Sequence, residues 1–498
     1  MKNLMYVFMV CLLVFGFSRK TYFVAWYKQI NNSFASPSSN DIQINPKAAT
    51  NTSLLATTEK HDGNTVQADK YPILIIRDML VNKDFEKLNT LLEDFQKAYE
   101  QDVANEDNML DAYDRGFFFK ESGYETLLDE WVKNFPDHYQ PYLARASYYY
   151  RMGWDARGGK FSSETSDNQI ENMKDYFAKA KEDIKNVLDK KQDNIIPYYF
   201  LINIYKALGD GISVKAILQK ALEKCPSSFR IRSTYLLAIA PRWGGTYEEM
   251  ERFIAESQQY ISKNQRIGLL QGYIDYEMGF MQRTSKNYGE ALELLDKAIE
   301  FGSLDLFYDE RARIYNKLDR NDEALADINA AIDMRPQYSE LYYRRASAKG
   351  IKNMLQEAFN DIEIAERLNP NNEDIIKLKI WLADKYHTRA RESVNQKDFN
   401  SASSDLETAI ELDPSNIDYY RLMDWILAKQ SNWEAIIIFW NKYLNLNPND
   451  DMAYLERGGA YFHKGDLAAA VADAKRAADL GNADGQKVYD RYKGQVTN

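Results

Sequence analysis

The chain is 498 residues long, carries a net charge of −11, and is 45% hydrophobic and 28% charged. So acidic a balance argues against a nucleic-acid partner, which would want a basic face. Two cysteines, Cys11 and Cys225, are too few for a disulfide framework; four scattered histidines, His61, His138, His387 and His463, lack ligand spacing, so neither a metal nor a cofactor is expected.

Residues 4–17 read LMYVFMVCLLVFGF, preceded by Lys2 and followed by Arg19 and Lys20. The run is short for a spanning helix, which needs about 17–25 residues, but the aromatic stretch Tyr22 to Trp26 extends it to the interface. An uncleaved membrane anchor over residues 4–26, within a segment 1–28, is the favoured reading. The alternative is a signal peptide with Gly16 and Ser18 at the cleavage positions, against which Arg19 and Lys20 would follow the cut directly. Residues 29–70 lack periodicity, are poor in large apolar residues and rich in Ser, Thr, Asn and Asp, and read as a disordered tether with a reach of roughly 35 Å. A body held this way implies an exported, periplasmic placement, or secretion if the segment is cleaved.

From Tyr71 the pattern is continuously helical, with apolar residues three and four apart over Leu74–Leu80, Phe85–Tyr99, Met109–Phe118, Tyr124–Asn134 and Tyr139–Met152. A helix over about 168–189 and a loose helix pair around Tyr198, Tyr205, Gly209, Ala221 and Pro226 follow. Two stretches break this region, which spans 71–271: WDARGG at 154–159 and PRWGG at 241–245. Either Trp154 and Trp243 plug gaps between helix layers, or Arg157 and Arg242 present guanidinium groups to an anion over an indole floor. Residues 140–300 resemble a bacterial domain family of unassigned function marked by an Ala-Arg-Gly loop and a Pro-Arg-Trp-Gly-Gly loop, so the resemblance names no activity.

Between 272 and 482 the sequence repeats. Asp305–Pro336 and Ser339–Pro370 each place Tyr at position 4 (Tyr308, Tyr342) and Ala at positions 8 (Ala312, Ala346), 20 (Ala324, Ala358) and 27 (Ala331, Ala365), with Pro at position 32. This period of 34 resembles the tetratricopeptide repeat, whose small residues sit where two antiparallel helices press closest. The position-20 alanine recurs at Ala291, Ala324, Ala358, Ala402, Ala435 and Ala470, in steps of 33, 34, 44, 33 and 35. The long step predicts one extended helix, 373–395. With the loose pair the count is seven units, in an all-α, right-handed superhelical solenoid capped by a last helix over 483–492 in the segment 483–498.

Positions 7 and 23 change character together. They are Arg311 with Asp327, Arg345 with Asp361, Arg389 with Asp405 and Arg457 with Asp473; in the other units they are apolar, Leu201 with Ile217, Met278 with Leu294 and Leu422 with Ile438. Matched character at a spacing of 16 predicts side chains that face each other across the helix pair.

The chain holds no phosphate-binding loop, no HExxH, no Gly-x-Ser-x-Gly and no paired cysteines, so no catalytic residue is assigned. The leading expectation is an interaction scaffold that binds a protein or peptide segment; the competing one is an enzyme or anion-binding protein with its site at the two Trp/Arg/Gly stretches. First helices of such units line the concave side, where positions 2, 5, 9, 12 and 13 contribute Tyr276, Arg283, Arg313, Asn316, Lys317, Tyr343, His387, Arg391 and Tyr420. This locally basic, aromatic surface suits an acidic partner. Asp309 stands where chaperone-clamping members of the repeat family have Lys, so chaperone binding is not expected.

Overall fold

The computed structural model describes residues 71–119, 123–159, 164–370 and 372–496, all within one compact unit, Val66–Asn498. The anchor and tether expected over 1–70 lie outside the described residues. Among the described residues no helix is long and apolar enough to cross a membrane, and there is no strand.

The α-helices run α1 Pro72–Val81, α2 Phe85–Gln101, α3 Glu106–Asp114, α4 Tyr124–Asn134, α5 Gln140–Arg157, α6 Asp167–Lys190, α7 Ile195–Ala207, α8 Gly211–Lys224, α9 Phe229–Ala238 and α10 Tyr247–Ser257. The series continues with α11 Tyr273–Thr284, α12 Tyr288–Glu300, α13 Asp305–Lys317, α14 Asn321–Met334, α15 Ser339–Ile351, α16 Leu355–Leu368, α17 Glu373–Asn395 and α18 Phe399–Leu412. It ends with α19 Ile417–Lys429, α20 Trp433–Leu446, α21 Asp451–Lys464, α22 Leu467–Asp479 and α23 Ala483–Tyr492. The extended helix expected from the long step is α17, and the expected cap is α23. WDARGG is not a loop: Trp154 to Arg157 form the last turn of α5.

One turn geometry recurs between the two helices of a unit. Lys83, Gly209, Lys286, Asp319, Asn353, Lys397, Ser431 and Gly465 all have positive φ. Each is followed by an N–H that reaches back five residues, as Arg320 N donates to Tyr315 O at 2.9 Å and Asn432 N to Leu427 O at 3.0 Å. This is the Schellman closure of a helix C-terminus, which caps carbonyls that the helix itself leaves open. A left-handed residue with a side chain is strained by roughly 1–2 kcal/mol. Ser431→Gly and Lys397→Gly are therefore expected to stabilise the chain by about 0.5–1 kcal/mol each, read as a higher urea midpoint; a lower midpoint in both would refute the assignment.

The turn also corrects the register. Counting back from Ser431, the unit begins at Ile417, and its twentieth position is Ile436, 1% exposed, whereas Ala435 is only half-buried. The adjacent alanine had shifted the alignment by one, and the steps around it become 34 and 34. The expected facing of Leu422 and Ile438 fails with it, since Ile438 is 46% exposed.

The four Arg–Asp pairs are two-pronged forks. Arg345 Nε and Nη2 donate to Asp361 at 2.9 and 2.6 Å; Arg311 grips Asp327, Arg389 grips Asp405 and Arg457 grips Asp473 in the same way at 2.6–2.8 Å. In three of them Nη1 reaches the second helix of the preceding unit: Arg311 to Asp296, Arg345 to Asn329, Arg457 to Asn441. The fork thus staples three helices. A fifth, Arg145 with Asp183 at 2.9 and 2.8 Å, joins α5 and α6; the spacing of 38 imposed by the longer connection hid it from a search at 16.

The core falls into two clusters, one reaching from Ile76 to Ile314, the other from Ala312 to Ala460. Tyr71 and Ile73 belong to the second, while Ile76 and Leu80 of the same segment belong to the first. Helix α1 therefore bridges them. Ile73 N donates to Gln337 Oε1 at 3.0 Å, Tyr71 and Tyr342 share a hydroxyl contact of 3.1 Å, and Arg77 Nη1 donates to Arg367 O at 3.1 Å. Beside it, α3 sets three carboxylates against the turns of distant units. Arg335, 2% exposed, donates to Asp111, Arg266 and Arg230 pair with Asp107, and Glu106 accepts from Ser228 Oγ at 2.8 Å. Burial would raise the Asp107 carboxyl, but the charges of Arg230, Arg335 and Arg266 hold it well below the usual carboxylate range.

Candidate functional site

Inner-face positions differ along the array in how far their charges are already matched. In the units beginning at Gly272, Asp305 and Ser339, Arg283 pairs with the buried Glu310, Arg313 with Asp309 at 3.0 Å and Glu310 at 3.6 Å, and Arg344 with Asp309 at 2.6 Å. The expected basic surface is to that extent neutralised: Arg283 and Arg313 serve the fold. Tyr276 is 5% exposed, its ring 5.7 Å from Phe307, so it is a core residue rather than an anchor for a partner.

At other positions of these same units, and in the unit beginning at Ala383, the face is open. Lys317 and Arg391 are exposed and make no ion pair among the described residues; Tyr343 and Asn316 are half-buried, and the Asn316 Oδ1 has no hydrogen-bond partner. The His387 ring lies 5.1 Å from that of Tyr419, and burial together with the Arg391 charge lowers its pKa. Tyr420 was misplaced by the slipped register. It is 1% exposed and packs on Trp440 and Tyr443, while Arg421 takes its inner-face place, 3.8 Å from Glu456. Next to this pair Asp424 accepts from Trp440 Nε1 at 2.7 Å. Burial lifts Asp424 to about 6, and burial with the Asp424 charge lifts Glu456 to about 7.

The second candidate site brings the two indoles together but not both guanidiniums. Trp154 ends α5, and Trp243 ends a single 3-10 turn, Pro241–Trp243, closed by the left-handed Gly244. Their ring centroids are 6.4 Å apart at 85°. Arg157 lies 5.8 and 5.9 Å from the two rings. Arg242 turns away from it to pair with the fully buried Glu277 at 3.2 Å, its guanidinium 4.1 Å from the centre of the Phe280 ring. Lys206, absent from the sequence reading, joins the cluster at 5.6 and 5.1 Å from the same two rings. It occupies the twelfth position of the unit beginning at Ile195, so the inner-face rule finds it once that rule is applied to the loose unit as well.

Trp154 also walls a cleft of about 490 Å³ with Arg77, Arg115, Arg151 and Glu340. Two of those guanidiniums are matched, Arg115 with Glu340 at 2.9 Å and Arg151 with Asp114 at 2.6 Å, and Arg77 donates to backbone carbonyls.

A family model for the tetratricopeptide repeat matches residues 307–338 and 384–416, within the units built from α13–α14 and α17–α18. Over 93 residues the chain is 31% identical to the protein STIP1 homolog of Dictyostelium discoideum, which is 18% of this chain and 16% of that protein. Over 91 residues it is 30% identical to serine/threonine-protein phosphatase 5 of Rattus norvegicus, 18% of each. The chain therefore spans less than a fifth of the length of these relatives. Among solved structures, the TPR domain of P58(IPK) aligns at 15% identity over 64% of this chain and 92% of that one, with a TM-score of 0.25. A tetratricopeptide repeat protein from Parabacteroides merdae aligns at 14% over 60% and 98%, with a TM-score of 0.23. The chain thus carries tetratricopeptide repeats.

Proposed function

We propose that the protein is an interaction scaffold that receives an extended or helical segment of a partner protein along the inner face of the units beginning at Asp305, Ser339 and Ala383. The observation that carries this reading is the contrast just described: Arg283 and Arg313 are tied to Glu310 and Asp309, whereas Lys317 and Arg391 are exposed at inner-face positions of the same array that also include the half-buried Tyr343 and His387. Rings supply contact area at low entropic cost, and two unmatched cations favour a segment with acidic residues. Asp309 and the buried Glu310 limit that preference to the Lys317–Arg391 stretch. Attachment through residues 4–26, spaced by 29–70, would hold this surface near a membrane. Loss of membrane association on deleting residues 1–28, read by fractionation, tests that part separately.

Crosslinking of the full chain followed by mass spectrometry would identify the partner segment. Lys317→Glu with Arg391→Glu is then expected to weaken its affinity at least tenfold and to flatten its salt dependence, with melting unchanged because neither side chain makes an ion pair. Arg313 is left out of the test, since an acid there would face Asp309 and Glu310 and unsettle the fold. Equal affinity of wild type and double variant would remove the inner face as the docking surface.

A further inference from the structure

The eighth position of a unit lies where its two helices press together: a Cβ on Gly279 would already be 3.1 Å from Leu295 Cγ. That position holds Gly279, Ala312, Ala346, Ala390 and Gly458 in five units, but Asp424 in the unit beginning at Ile417. Position 24, sixteen residues on, is Leu295, Ile328, Ile362, Leu406 and Ala474 in the same five, but Trp440 in this one. The two exceptions answer each other, since the fully buried Trp440 donates through Nε1 to Asp424 Oδ2 at 2.7 Å. An ionisable group thus stands where those five units keep glycine or alanine.

A second half-buried carboxyl belongs to the same cluster. Glu456, on the first helix of the next unit, feels the repulsion of Asp424 and of Asp450, and Asp450 accepts from the Tyr443 hydroxyl at 2.9 Å. Glu277 and Glu310 occupy the same sixth position in their units, and Arg242 and Arg283 contact them directly. Glu456 instead has Arg421 at 3.8 Å, a guanidinium that also lies 3.8 Å from Asp418. On the neighbouring elements, α17 sets Asp384 and His387 against Tyr419 of α19, and Asp473 of α22 is held by Arg457 of α21.

We propose that Asp424 and Glu456 form a pH-sensitive joint between the helix pairs α19–α20 and α21–α22, closed while both carboxyls carry a proton and loosened when both are ionised. A protonated Asp424 still accepts from the indole through its carbonyl oxygen, and no charge is left at the helix contact. Once ionised, two carboxylates share one guanidinium at half-buried positions, and each charge raises the cost of the other. Burial brings Asp424 up to about 6, and burial with the Asp424 charge brings Glu456 up to about 7, whereas carboxyls of an unfolded chain titrate at about 4. The contribution of the pair to stability is therefore whole below about pH 4 and is lost as the pH rises through about 6 and 7. The joint lies beyond the units that dock the partner segment and does not depend on that reading.

Hydrogen exchange in α19–α22 of the full chain, corrected for the intrinsic chemical rate, is expected to report opening that grows about 100-fold between about pH 5 and about pH 8. Asp424→Asn combined with Glu456→Gln keeps the shape of the two protonated groups. At about pH 8 this variant should open at least tenfold less often than wild type, and at about pH 5 the two should match. The indole N–H resonance of Trp440, assigned by its loss in Trp440→Phe, supplies a local readout that shifts between these pH values in wild type and stays in place in Asp424→Asn. An indole resonance that does not move in wild type, or a double variant that opens as often as wild type at the higher pH, overturns the proposal.

Discussion

Arg335→Met is expected to destabilise the protein by about 3–5 kcal/mol, the usual range when one member of a buried ion pair is removed and the other stays behind. Arg335 is 2% exposed and Asp111 3%, so Asp111 would stay buried without the guanidinium that donates to it through two nitrogens. Methionine preserves the length of the side chain, which makes the loss electrostatic rather than a matter of volume. Arg335→Lys should recover only part of the deficit, because an ammonium cannot reproduce the two-pronged contact. Urea unfolding gives the magnitude, and small-angle scattering reports whether α1 and α3 leave the turns they cover. A variant as stable as wild type would mean that the N-terminal helices rest on the array without binding it. The same contacts bear on how partner capture is measured: a fragment starting at residue 272 would lose the helices that cover Gln337, Tyr342 and Arg335, so the full chain is the proper reagent.

Gly245→Ala should cost about 3 kcal/mol or more, at the upper end of overpacking effects, while Gly244→Ala costs about 1 kcal/mol. A Cβ on Gly245 would lie 1.9 Å from the Ile239 carbonyl oxygen and 2.5 Å from its carbon, whereas one on Gly244 meets nothing within 4 Å. Backbone atoms cannot rotate aside as a side chain can. The turn itself must shift, and it carries Trp243 and Arg242, so Trp243 and the Arg242–Glu277 pair move with it. Gly244 is left-handed, with φ of +92°, so its substitution strains only the dihedral. Thermal melts rank the two variants, and equal small losses would contradict the close approach. The glycine pair of PRWGG is thereby explained by two separate demands of one turn.

Much of the array could be read from spacing because each unit repeats the same local problem. Small residues mark the helix contacts, matched Arg and Asp mark the forks, and the surplus between Ala358 and Ala402 measures the length of α17. The slip in the unit beginning at Ile417 arose where an isoleucine fills the twentieth position beside a misleading alanine, and it carried Tyr420 onto the wrong face. The apparent basicity of the groove failed for a different reason: Arg283 is matched by Glu310 one unit away, a pairing that no single-unit alignment displays, and Arg313 by Asp309 and Glu310 on its own helix. Trp154, Arg157 and Trp243 do come together as their shared composition suggested. Lys206 escapes because the inner-face positions predicted from the sequence begin only with the unit at Gly272. The contacts of α1 and α3 had no counterpart in any periodicity, since Asp111 and Arg335 are separated by 224 residues.

Those contacts set a rule for how the chain can grow. Stacked units can ordinarily be duplicated or lost one at a time, because each meets only its neighbours. Between Asp111 and Arg335 that freedom is gone: an added unit would carry Arg335, Gln337 and Tyr342 one full step away from the helices that bind them. Among the described residues no such ion pair or hydrogen bond to α1 or α3 lies beyond Leu368, and a duplicated helix pair there would lengthen the array without disturbing those contacts. Length variation among natural versions of this protein is therefore expected to fall in the units after α16, with the number of units before it held constant.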